Sequence, residues 1–83
     1  MILQDSQSIR HYQKLTDSMV NLWERRYSFE EIKLYMDGYI ACLRQTNALE
    51  PYLIHRLEEE AMRFLRDSSN FELSMPQTEV DYY

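Results

Sequence analysis

The side chains of this 83-residue sequence best equipped for chemistry are His11, His55, Cys42 and the carboxylate run Glu58-Glu59-Glu60. His55 has Glu58 at i+3 and Glu59 at i+4, a spacing that lets helix-borne side chains share a metal ion. Those residues alone are too few ligands for a site, and the run HRLEEE reads as a solvated helix face. Nucleophilic catalysis needs an activated Ser, Cys or Lys beside a base that a third group orients. Cys42 is far in sequence from either histidine and has no electropositive neighbourhood to activate it, so a buried structural thiol is expected. Adjacent carboxylates on a helix point in different directions, which removes Glu58–Glu60 as an acid–base pair. A single glycine leaves no phosphate-cradling loop. The expectation is a protein that is not an enzyme and carries neither cofactor nor metal.

Positioning of these groups falls to helices. One glycine and two prolines argue against strands joined by turns. The first segment, 6–26, begins near Ser6 or Ser8 and puts Ile9, Tyr12, Leu15, Thr16, Met19, Val20, Leu22 and Trp23 on one arc at 100° per residue. Arg10, Lys14, Asp17, Asn21, Glu24 and Arg25 fill the other side. Ser28 followed by Glu31 is a capping box, and Tyr27 with Ile32 fits a hydrophobic staple, so a tight corner leads into helix 29–46. That helix is apolar on two sides. Its main face carries Phe29, Ile32, Tyr35, Met36, Tyr39, Ile40 and Leu43, and a second seam carries Leu34, Gly38 and Ala41. The seam suits a central helix touching both neighbours, or a self-association face where Gly38 admits a second backbone.

Asn47 tolerates the left-handed conformation that ends a helix, and Pro51 suits the first turn of the next, 51–66. There Leu53, Ile54, Leu57, Ala61, Phe64 and Leu65 form the apolar arc. Arg56–Glu60 and Glu59–Arg63 fall at i,i+4 on the wet side. The predicted fold is all-α, a compact three-helix bundle in residues 1–66, followed by an acidic tail in 67–83.

All nine basic residues lie in the first 66 positions, whereas the tail holds Asp67, Glu72, Glu79 and Asp81 without a base. Asp67-Ser-Ser-Asn70 reads as a helix stop. Phe71, Leu73 and Met75 alternate with Glu72 and Ser74, which predicts an extended segment with one apolar edge over 71–75. That edge either packs on the bundle or docks on another protein, and 77–83 is expected to be flexible. Tyr52, on the polar side of the third helix, and Tyr82 and Tyr83 complete the candidate contacts, because tyrosine offers large contact area at small entropic cost.

Charge and composition limit the partners. Arg25-Arg26 is the only adjacent basic pair and the isoelectric point is near 4.9, so the basic footprint of a nucleic-acid binder is missing. No apolar run approaches the ~18 residues of a membrane span. The lone cysteine and the absence of a basic, apolar leader point to a cytoplasmic setting.

The stretches IRHYQKLTDSMVNLW and DGYIACLRQTNALEPYLIHRLEEEAMRFL, with NFELSMP and the closing DYY, resemble a small cyanobacterial family of unknown function over nearly the whole chain. That resemblance implies a lineage, a small cytosolic or thylakoid-facing protein of a photosynthetic bacterium, and it assigns no activity or site residue. The leading functional expectation is a non-enzymatic adaptor or assembly factor that binds a protein partner through Phe71, Leu73, Met75, Tyr82, Tyr83 and Tyr52. The alternative is a structural homodimer built on Leu34, Gly38 and Ala41, whose tail completes its own core. A nucleic-acid-binding helical domain ranks below both.

Overall fold

Asp5 starts the first helix. A computed structural model describes residues 3–72, and in it an Asp5 carboxylate oxygen accepts from the Ser8 backbone N–H at 3.0 Å. This satisfies one of the amides that a helix start leaves without a partner. Helix α1 runs Ser6–Glu24, α2 Phe29–Thr46, α3 Pro51–Arg66 and the short α4 Ser69–Glu72. The described residues form no strand, and the three long helices pack against one another while α4 packs on α1. The all-helical bundle is as predicted.

Helix α1 stops two residues earlier than expected. Arg26 adopts the left-handed conformation at φ 71° and its N–H donates to the Trp23 carbonyl, while the Tyr27 N–H reaches back to Leu22. These are the paired bonds of a Schellman ending, here without the usual glycine. Ser28 then caps α2, accepting from the Glu31 N–H at 3.1 Å while the Glu31 carboxylate accepts from the Ser28 N–H at 2.8 Å. Tyr27, the predicted outer half of a staple, is exposed with the Arg25 guanidinium 5.7 Å above its ring. Asn47, at φ 53°, ends α2, and Pro51 opens α3 as its spacing predicted.

The core is built on one stripe from each long helix, joined by Leu3, Leu49 and Phe71 from outside them. Leu15 and Met19 meet Ile32, Met36 and Ile40, with Ile54, Leu57 and Ala61 from the third side. Each of the larger side chains contributes roughly 1.5–3 kcal/mol by leaving water.

Four expectations about burial are corrected. Phe29 and Tyr35 lie on the apolar arc of α2 yet are exposed. Phe29 sits in the first turn, beyond the overlap with its neighbours, and Tyr35 lies at the arc's edge. The Leu34, Gly38 and Ala41 seam faces solvent, and a Cβ added at Gly38 would meet nothing within 4 Å. Helix α2 therefore reaches both neighbours through one face, and the seam is not a close approach inside the bundle. Cys42 is exposed, not buried.

The fourth concerns Glu60, which is only 4% exposed. It lies two turns after Leu53 and one turn before Phe64, on the edge of α3 that Tyr12 of α1 covers. Arg63 Nη1 donates to Glu60 Oε2 at 3.0 Å and His55 pairs with Glu59, replacing the predicted Arg56–Glu60 and Glu59–Arg63 pairs.

Beyond α3, residues 71 and 72 are helical, not extended. Asp67 Oδ1 accepts from the Ser69 N–H and hydroxyl, and the Asn70 side-chain amide donates to the Phe64 carbonyl at 2.9 Å. These bonds turn the chain back on itself, and Phe71 is buried against the bundle. Residues 73–75, the rest of the predicted extended edge, lie outside the described residues.

Candidate interaction surface

The corner between α1 and α2 and the turn after Asp67 bring their flanking side chains to one end of the bundle. There Trp23, Phe29, Ile32, Leu65, Arg66, Ser68 and Phe71 line a groove of about 540 Å³. Its walls are mostly apolar, as binding clefts tend to be. Trp23 comes from the last turn of α1 and Phe29 and Ile32 from the opening turns of α2. Leu65 and Arg66 close α3, and Phe71 is delivered by the Asn70 and Asp67 hydrogen bonds.

Ring packing fixes the floor of this groove. Trp23 and Phe71 have centroids 5.6 Å apart at 58°, and Phe71 meets Phe64 at 5.6 Å and 70°. Phe64 in turn meets Tyr12 edge-on at 6.3 Å. Such tilted and edge-to-face pairs add about 0.5–1.5 kcal/mol each beyond buried area, so the aromatic floor is held rigidly. Phe29 stands over it with 46% of its surface exposed. Among the described residues Arg66 is the groove's only charged lining residue and makes no ion pair. An apolar trough with one unpaired guanidinium fits an apolar segment that carries a carboxylate.

Two polar arrangements lie elsewhere. His11 Nδ1 and the Tyr39 hydroxyl share a hydrogen bond at 2.9 Å, linking α1 to α2. Burial lowers the His11 pKa below its ordinary 6.5, with Lys14 and Arg10 acting in the same direction. Burial, followed by Tyr35 and Cys42, raises that of Tyr39. Burial and then the Glu60 charge raise the Tyr12 phenol, against an opposing effect of Arg63. His55 Nε2 lies 3.3 Å from Glu59 Oε2 on the outer face of α3. Among the described residues no three His, Cys, Asp or Glu side chains gather as a metal site requires.

Of the predicted contact residues only Phe71 and Tyr52 are described, and these two lie apart. Phe71 is in the groove wall, 7% exposed, and works there as part of the packed body. Leu73, Met75, Tyr82 and Tyr83 lie outside the described residues. Tyr52 is 62% exposed, but it stands at the first turn of α3, beside Leu3, Ser8 and Leu53. A 16-residue helix is ~24 Å long, so Tyr52 is at the far end of α3 from the groove. Leu34, at 71% exposure, lies with Gly38 and Ala41 on the outer face of α2. Phe29 was missed as a surface residue because periodicity assigns it to a core arc, whereas Trp23 does pack against the core, partly buried, and lines the groove with its remaining surface. The overlooked signal was position: Phe29 is the first residue of its helix and Trp23 the last but one of the preceding helix, on either side of the 25–28 corner.

Among the described residues no helix is long and apolar enough to cross a membrane. The model of a family of unknown function, DUF6761, matches residues 1–83, and the chain belongs to that family. No curated protein and no solved structure matches the chain.

Proposed function

We propose that this member of DUF6761 is a non-enzymatic adaptor or assembly factor that binds a protein partner at the Trp23–Phe29–Phe71 end of the bundle. The observation that supports this reading is the solvent-open apolar groove, with Phe29 exposed above a rigid aromatic floor. Contiguous apolar surface of this kind is characteristic of docking sites. The tail residues Leu73, Met75, Tyr82 and Tyr83 follow Phe71 in the chain and would extend the contact. Tyr52, at the other end of α3, is a second contact for a partner that spans the helix. A cytoplasmic setting is supported by the lone cysteine, and a cyanobacterial source by the resemblance in wording.

The test is affinity capture from the native cell with the full chain and its Phe29→Asp variant. An acid in the first turn of a helix is favourable, so the variant should keep its helicity and melting temperature. Loss of the captured partner is the expected result, and retention of every partner would remove the groove from the reading. Homodimerisation through Leu34, Gly38 and Ala41 is the second reading, favoured by the open space above Gly38.

A further inference from the structure

We infer that the groove takes one segment of a partner protein whose side chains run in the order apolar, acidic, basic, and that this segment continues past Arg66 along the outer face of α3. The inference rests on the groove being the partner-binding site and adds the chemistry of what binds there. A second trough, of about 510 Å³, is lined by His55, Glu58, Glu59, Met62, Arg63 and Arg66. Arg66 lines both troughs, so the apolar end groove and the outer face of α3 form one path across the bundle. His55, Glu59, Met62 and Arg66 fall at i, i+4, i+7 and i+11, a single stripe leading from the groove toward the start of α3.

Charge changes sign once along that path. Trp23 and Phe29 begin it, Arg66 and Arg63 follow in the last turn of α3, and Glu59 and Glu58 come next. Among the described residues Arg66 has no ion pair, and Arg63 holds Glu60 while 70% of its own side chain stays exposed. Both guanidiniums are open to a carboxylate, which a guanidinium can grip through two parallel hydrogen bonds. Glu59 is held only by His55, on an exposed face, and is open to a base. Met62, partly buried between the two charges, offers the segment an apolar seat. Glu59 and Arg66 are seven residues apart in the sequence, a helical rise of ~10 Å. The acid and base of the segment are then about seven residues apart if it is helical and about three if it is extended. This change of sign selects a peptide over an anionic membrane surface, which Glu58 and Glu59 would repel.

The experiment selects displayed random peptides of about 16 residues, ~24 Å long even when helical, against the full chain and its Arg66→Glu and Glu59→Lys variants. Far-ultraviolet dichroism checks that the three chains are equally helical. The unsubstituted chain should enrich peptides with an acid at a fixed distance from a base and apolar side chains beyond the acid. Arg66→Glu should exchange that acid for Lys or Arg, and Glu59→Lys should exchange the base for Asp or Glu. Where a reversed chain loses helicity, Arg66→Gln or Glu59→Gln replaces it, and the selected charge should disappear instead of reversing. Trp23 is the single tryptophan and a wall of the groove, so its emission reports occupancy. The best peptide should shift that emission, with affinity falling roughly tenfold or more against Arg66→Glu.

Enriched peptides whose charges ignore both reversals overturn the inference, as does enrichment of none. Phosphatidylglycerol vesicles that shift Trp23 emission would put an anionic membrane on the groove, and a dimer in sedimentation that Phe29→Asp dissolves would put a second copy there. Either result overturns it too. Failure of the partner-binding reading is distinct. Capture that Phe29→Asp loses but Arg66→Glu and Glu59→Lys keep leaves the groove as a docking site and removes only the charge order. Capture that Phe29→Asp keeps removes docking at the groove itself.

Discussion

His11 shows how a residue of no catalytic promise can still report on the fold. Its ring is packed edge-on against Tyr39 at 5.8 Å and hydrogen-bonded to that hydroxyl, with Lys14 and Arg10 on the same helix. The folded state favours the neutral ring, so its pKa lies below the unfolded value of 6.5. As pH falls below 6.5, the unfolded chain takes up this proton first and stability declines until the folded pKa is passed. Denaturation at pH 7.5 and at pH 5 should therefore show an acid loss that is smaller in His11→Gln, other groups cancelling between the two proteins. The histidine was visible in the sequence, but its partner 28 positions away was not, because only the packing of α1 on α2 brings them together. Glu60 shows the reverse. It counted as wet by its type and its neighbours, and the angle at which α1 lies over α3 buried it.

Elements were more legible than residues. The capping box at Ser28, the left-handed Asn47 and the Pro51 start are local chemistry, and each sets a helix boundary without help from the rest of the fold. Ser28→Ala should accordingly cost about 1 kcal/mol in thermal or urea unfolding, since it removes the acceptor for the Glu31 N–H. The end of α1 was harder to read because Arg26 adopts a conformation that glycine or asparagine usually supplies. Phe71 and Glu72, the second half of α4, are expected to be extended from the alternation of Phe71, Leu73 and Met75. What overrides that pattern is the Asn70 bond to the Phe64 carbonyl and the space that Trp23 and Phe64 leave for one more ring.

At the scale of the whole molecule the main uncommitted surface besides the groove is the outer face of α2. With nothing within 4 Å of an added Cβ, Gly38→Ala should raise stability by roughly 0.5–1 kcal/mol through helix propensity alone. Thermal denaturation checks this, and sedimentation of the same samples should show an unchanged mass. A drop in both would put a second copy on the Leu34–Gly38–Ala41 face. The candidate site was the least legible feature of all, since it joins the end of one helix, the start of the next and a turn some 40 residues later, and no period runs through such a set. That arrangement also has a consequence for how the protein is made. Phe71 is the last described core residue to be synthesised, and its ring closes the gap between Trp23 and Phe64. A nascent chain can pair its three long helices through short, local links while still on the ribosome, yet the aromatic floor stays open until residues beyond 71 have cleared the exit tunnel. Closure of the aromatic floor therefore follows the pairing of the three long helices, and until Phe71 arrives the tryptophan is exposed to whatever lies nearby.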